Sequence, residues 1–316
     1  MELVTIDDIR TAARQVASHV VRTPLLEASW GDPDRPLWVK PESLQTIGAF
    51  KVRGAFNAIG ALIAGPDPVS GVVAYSSGNH AQAVAYAAAV YGLPAHIVMP
   101  EETPAVKIDA TRRHGARVVL CAAGQREIVA EQVAAETGAV MIPPFDHPGV
   151  IAGQGTIGLE IAEDLPEVRS VFVPVSGGGL ASGIGTAIKA LCPRAVVIGV
   201  EPELAADTAE GLAQGRRVDW PITDRNRTIA DGLRSQPSEL TFAHLQNVLD
   251  EIVTVSEAEI RSGVRELAFR ARLVAEPSGA VALAGYRKVA APAGPAVVIL
   301  SGGNVAPEML GQILSG

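Results

Sequence analysis

Three short segments of this 316-residue chain carry groups that can act on a small molecule. Lys51 stands in SLQTIGAFKVRGAFNAIGALI, where an amphipathic helix is expected to begin near Phe50 and Lys51. The positive end of such a helix and the apolar neighbours Ala49 and Phe50 both disfavour an ammonium, leaving an amine able to attack a carbonyl and later to take a proton. A solvated lysine on a first helical turn is the plainer reading of the same residues. Val175 to Gly183, VSGGGLASG, sets Gly177, Gly178 and Gly179 between an apolar strand and a helix, so that backbone N–H groups converge on an anion. It has neither the terminal Gly-Lys-Ser/Thr of a nucleoside triphosphate loop nor a full dinucleotide pattern, so it reads as a phosphate cradle or as a tight turn. After VVAYS, residues Ser76, Ser77, Gly78, Asn79 and His80 offer hydroxyls and amides to a carboxylate or an aromatic oxygen, or simply cap a helix. His80 is a base or a hydrogen-bonding core residue.

The elements that must hold these groups alternate. VVAYS, HAQAVAYAAAVYG, AHIVMP, PAVKIDATRRHG and ARVVLC make a βαβαβ rhythm, which returns after the glycine-rich centre in SVFVPVSGGG, ASGIGTAIKALC, AVVIGVEPE and PAVVILSGG. Strands that are apolar throughout and joined by helices predict parallel, twisted sheets covered by helices on both faces. The Pro/Gly-rich stretches at 65–71 and 143–149 punctuate the first set. They predict a large domain of residues 1–70 and 148–316 with a smaller domain, 71–147, inserted in it. Ligands sit beyond the carboxyl ends of such strands, here SSGNH, SGGG and SGGN.

Composition removes several classes. The 26 Lys and Arg against 34 Asp and Glu give a net charge of -8, which leaves a nucleic-acid partner unsupported. The two cysteines, Cys121 and Cys192, lack the spacing of a zinc site, and a disulfide framework is not expected. An acidic N-terminus without a continuous apolar stretch predicts no export signal, and no segment approaches the roughly 20 apolar residues of a membrane span. A cytoplasmic protein is expected. The acidic loop EPELAAD after AVVIGV reads by itself as solvated surface.

Taken together, SLQTIGAFKVRGA, SSGNHAQAVAYAA, PPFDHPGVIAGQGT, VPVSGGGLASG, AEPSGAVALAG and SGGNV resemble the serine/threonine dehydratases and serine racemases among the fold type II pyridoxal 5'-phosphate (PLP) enzymes. The resemblance runs from Arg22 to Val305 and implies the two-lobed α/β fold of that group. It makes Lys51 the Schiff-base lysine, Phe50 the residue packed on the ring, and Asn79 the partner of the ring's 3-hydroxyl. It makes Gly177, Gly178, Gly179 and Leu180 the phosphate cradle, and Ser301 the partner of the pyridine nitrogen. Ser76 to His80 would bind the substrate carboxylate. A neutral hydroxyl at Ser301 leaves the ring a weaker electron sink than an aspartate would, which favours β-elimination over transamination.

The implied reaction converts L-threonine or L-serine to a 2-oxo acid and ammonia. Ser77 matches the racemases' second base, so serine racemisation stays open, as do hydroxyaspartate and phenylserine as substrates. In the racemase-like branch Glu201, the Ala205 carbonyl and Asp207 bind a divalent cation, and oxygen ligands suit magnesium, calcium or manganese. Relatives imply a homodimer. Ending at Gly316, the chain is expected to lack the regulatory domain of the biosynthetic threonine deaminases. A non-catalytic amino-acid or PLP-binding protein on the same scaffold is the different-class reading. A nucleotide-dependent oxidoreductase would want an intact fingerprint with an acidic residue about 20 positions on.

Overall fold

The structure, a computed structural model, describes residues 2–316. Its strands are β1 (Leu26–Asp32), β2 (Arg35–Pro41), β3 (Val72–Tyr75), β4 (Ala95–Pro100), β5 (Arg117–Cys121), β6 (Val140–Met141), β7 (Ser170–Pro174), β8 (Val196–Pro202), β9 (Glu251–Val255) and β10 (Ala296–Leu300). They form a six-stranded sheet of order β1-β2-β10-β7-β8-β9 and a four-stranded sheet of order β5-β4-β3-β6. The four-stranded sheet draws on one continuous stretch of chain between β2 and β7. Pairings are parallel, as the apolar strand pattern predicts, except that β1 and β2 pair antiparallel. Only Pro33 and Asp34 separate those two strands, and a connection that short closes a hairpin and cannot make a crossover. β7 and β10 are buried along their whole length, which is why they read as unbroken apolar runs.

Eight helices precede and flank the candidate site: α1 (Ile6–Val16), α2 (Lys51–Ala64), α3 (Asn79–Val90), α4 (Ala105–Arg113), α5 (Arg126–Thr137), α6 (Pro148–Asp164), α7 (Gly179–Leu191) and α8 (Asp207–Gln214). α6 packs against both α2 and α7. Glycines let these backbones approach: a Cβ on Gly153 would lie 2.6 Å from the Cα of Gly54, and one on Gly183 would lie 2.3 Å from the carbonyl oxygen of Ile151. The starts of α2 and α7, which carry Lys51 and the glycine run, are thereby held to one central helix. α2 also gives Val52, Phe56 and Ile59 to the apolar core around Val72, Ala74 and Ile97 of the four-stranded sheet.

The helix that Lys51 opens also carries Arg53 into a buried ionic network that the sequence does not announce. Arg53, fully buried, donates from Nε to Glu42 at 2.7 Å and from Nη1 to Glu160 at 2.7 Å. Lys40 Nζ stands 2.6 Å from the other Glu160 oxygen, and Thr23 Oγ1 donates to Glu42 at 2.7 Å. Two cations balance two anions, so no net charge is left in the interior. Both cysteines are free and buried, and among the described residues no helix is long and apolar enough to cross a membrane.

Candidate active site

Lys51 opens α2, as its apolar spacing predicts. The segment before it is zipped to the strand end at 301–303: the Phe50 N–H donates to the Ser301 carbonyl at 3.1 Å, and the Gly303 N–H donates to the Gly48 carbonyl at 2.9 Å. Gly48 makes the bend with a left-handed φ of 73°, a conformation that side chains disfavour. The amine of Lys51 donates to the carbonyl oxygen of Pro144 at 2.7 Å and lies 5.0 Å from the centre of the Phe50 ring. Burial pulls its pKa down to about 8, so a substantial neutral fraction exists at physiological pH. Ser301, at the end of β10, is buried.

Phe145, next after Pro144, lies against the glycine run. A Cβ on Gly177 would meet its ring at 2.2 Å, and one on Gly179 would meet its Cβ at 3.0 Å. Gly178 has φ 87°, and a Cβ there would come within 2.8 Å of Thr241. A side chain on Gly177 or Gly178 would force a shift and one on Gly179 would be tight, and Gly179 begins α7, whose first amides have no partner inside the helix. Leu180 sends its side chain into the core around Val173 and Ile184, which leaves only its backbone N–H for an anion. Ser176 anchors the turn, donating to the Ser235 carbonyl and accepting the Ser235 N–H, both at 2.9 Å. Pro144 and Phe145 are the link between amine and cradle, a role that PPFDHPG gives no local sign of.

Of the Ser76–His80 segment, only Ser76 to Gly78 is loop, and α3 starts at Asn79. Ser76 Oγ accepts the Gly78 N–H at 3.2 Å, and a Cβ on Gly78 would meet nothing within 4 Å. Ser77 is half-buried beside that open space. His80 is buried, with Nε2 2.8 Å from the Ile142 carbonyl. Burial first, and the charge of Lys51 second, push its pKa down to about 3, so the ring is neutral and spends its Nε2–H on that carbonyl. The hydrogen-bonding core role, of the two that the sequence left open, is the one its surroundings favour.

Asn79 reveals a residue that sequence reasoning missed. Its Nδ2 donates to Glu276 Oε1 at 2.7 Å, and its Oδ1 accepts from Asn304 Nδ2 at 2.8 Å. Glu276 caps the helix Pro277–Lys288, and its pKa is raised to about 8, by burial first and then by repulsion from Asp231. The available signal was a lone acid inside the apolar run VAEPSGAVALAG.

Glu201 lies on β8 and Asp207 at the start of α8, both buried. Glu201 accepts the N–H groups of Thr208 at 3.3 Å and of Ala209 at 2.8 Å. Burial, then the charge of Asp207, holds the Glu201 carboxyl well above its usual range. Burial raises Asp207 to about 7 against the opposing pull of Arg225, and Asp207 Oδ2 is buried without a partner. Among the described residues no three His, Cys, Asp or Glu side chains gather as a metal site. Two carboxylates, one of them with an orphaned buried oxygen, and a nearby carbonyl still suit an oxygen-preferring cation.

A desolvated lysine bonded to Pro144, whose neighbour Phe145 lies against a glycine turn at a helix start, suits an enzyme class that links an aldehyde cofactor to an amine and holds the cofactor's phosphate on backbone N–H groups. The chain belongs to the family described as "Pyridoxal-phosphate dependent enzyme", whose model matches residues 16–302. It is 41% identical to an L-threonine ammonia-lyase of Thermotoga maritima, over 99% of this chain and 79% of that protein. It is 39% identical to an L-threo-3-hydroxyaspartate ammonia-lyase of Saccharomyces cerevisiae, over 100% of this chain and 98% of that one. The solved structure of maize serine racemase superposes with a TM-score of 0.93 at 38% identity, covering 99% of this chain and 98% of that one. The chain is therefore a PLP-dependent enzyme of fold type II with parallel sheets flanked by helices.

Proposed function

We propose that this enzyme is an ammonia-lyase that eliminates water from L-threonine or L-serine, the resulting enamine then taking up a water as it hydrolyses to a 2-oxo acid and ammonia. The observation that carries the reading is the buried Lys51 amine, its pKa lowered to about 8, tied through Pro144 and Phe145 to the glycine turn. Bound there, PLP supplies a carbonyl for amines and an electron-withdrawing ring that acidifies the substrate Cα–H. Lys51 would hold it, with Phe50 beside the ring, Asn79 at the 3-oxygen, Ser301 at the ring nitrogen, and Gly177, Gly178, Gly179 and Leu180 at the phosphate.

The remaining steps belong to the chain. Once released, the neutral Lys51 amine takes the Cα proton. The open loop at Ser76, Ser77 and Gly78, with the N-terminal amides of α3, binds and orients the substrate carboxylate. Ser301 offers a neutral hydroxyl where an aspartate would hold a proton, which supports elimination. Ser77 matches the second base of the racemases, so serine racemisation is the companion reading, supported by likeness to the maize enzyme.

Glu201, Ala205 and Asp207 are proposed to hold Mg2+, Ca2+ or Mn2+. Residues 71–147 are proposed as a small domain set between the two parts of a large one, the enzyme as a cytoplasmic homodimer, and nucleic acid and membrane as absent from its partners. The test is release of 2-oxo acid from a panel of L- and D-threonine, serine, hydroxyaspartate and phenylserine, with and without Mg2+. L-threonine or L-serine is expected to lead, and Lys51→Ala to abolish turnover. Formation of D-serine without 2-oxo acid would move the assignment to racemase, and turnover by Lys51→Ala would sink both.

A further inference from the structure

The side chains of Asn304, Asn79 and Glu276 form a relay of hydrogen bonds that starts at the Ile47 carbonyl, shortly before α2, and its polarity is determined from that end. The Ile47 carbonyl can only accept, so the amide of Asn304 must present Nδ2 to it, which it does at 2.8 Å. The second N–H of that same nitrogen goes to Asn79 Oδ1 at 2.8 Å. The oxygen of Asn79 is thereby committed, and its Nδ2 must face the other way, where Glu276 Oε1 accepts at 2.7 Å.

The backbone makes room for this arrangement at both ends. A Cβ on Gly48 would lie 2.6 Å from Asn304 Oδ1, and one on Gly302 would lie 2.5 Å from Glu276 Oε1. The relay also joins the two sheets, because Asn79 starts a helix that follows β3 while Glu276 and Asn304 flank β10. Asn79 Nδ2 carries two protons, and Glu276 takes one.

We propose that Asn304 is a positioning residue: by occupying Asn79 Oδ1 it bars the flipped amide, so that Asn79 can meet a cofactor oxygen only as a donor. This rests on the PLP reading above and deepens it. A donor at the ring's 3-oxygen stabilises that oxygen in its ionised form, whereas a flipped Asn79 would present a carbonyl and destabilise it.

Asn304→Asp tests the proposal, because aspartate has the same shape but no side-chain N–H to give. It would set an oxygen against two acceptors, Ile47 O and Asn79 Oδ1, which drives Asn79 to flip. In the 15N-labelled, cofactor-free protein, Glu276→Gln should shift the Asn79 side-chain amide resonances, and Asn304→Asp should remove that response. In the loaded enzyme Asn304→Asp should move the visible band of bound PLP and lower kcat by about tenfold with KM little changed, as the loss of one oriented hydrogen bond implies. Asn304→Ala, which introduces no repulsion, should also lose the amide response and serves where the aspartate variant does not fold. An unchanged Asn79 response together with an unchanged PLP band in Asn304→Asp overturns the proposal. A parent protein that takes up no PLP, yet shows the Glu276-dependent shift, upholds the relay and overturns the cofactor assignment instead.

Discussion

The Lys51 amine donates to the Pro144 carbonyl at 2.7 Å, across 93 positions of sequence. That bond ties the first turn of α2 to the segment that also covers the glycine run, so amine and cradle share one support. It also gives the amine a single acceptor and no counter-charge, so nothing offsets the desolvation that lowers its pKa to about 8.

Uptake of PLP by the apoenzyme should follow the neutral amine. With an amine pKa of about 8, the neutral fraction rises about tenfold between pH 7 and pH 9 and then levels off. Stopped-flow absorbance of PLP addition across that range measures it, and a rate independent of pH would contradict a desolvated Lys51.

Gly177→Ala should weaken PLP binding by at least about tenfold, because the new methyl meets the Phe145 ring at 2.2 Å and one of them must move. Adding Phe145→Ala should restore part of the affinity. If the double variant binds no better than the single one, the defect lies elsewhere in the turn.

Arg53→Met removes one of the two cations that balance Glu42 and Glu160 in the interior. Breaking such a network from one side costs about 3–5 kcal/mol. Urea titration of the apoprotein should show a loss of that size, and a loss below about 1 kcal/mol would mean that water reaches the network.

Glu201 and Asp207 are both raised above their unfolded pKa values, Asp207 to about 7. Their neutral forms are the ones the metal-free fold tolerates. Stability from this pair is therefore complete below the unfolded carboxyl range and is lost as pH rises through about 7. A divalent cation needs the ionised pair, so Mg2+ should raise Tm more at pH 8 than at pH 6, and Asp207→Ala should abolish the difference. Equal melting curves with Mg2+ and with chelator at pH 8 would remove the metal from this site.

The sequence by itself determined whatever depends on a few adjacent residues. Apolar strands buried on both faces leave an unbroken run, as in SVFVP and AVVIL, and glycines between a strand and a helix mark an anion-sized turn. The start of α2 at Lys51 was equally local. The motif order carried the family, because six spaced segments together are far more specific than any one of them.

Tertiary structure decided what rests on contacts between distant positions. Asn79 meets Glu276 across 197 residues and Asn304 across 225, and no spacing in the chain encodes either partner. Phe145 became the wall of the cradle only through the path of the chain into α6, and Arg53 found Glu42 and Glu160 only once the helices had packed. The titration of Lys51, Glu276 and Asp207 falls on the same side of this division. Desolvation is set by every atom around a group, so a type of residue can be read from sequence while its charge state waits on the fold.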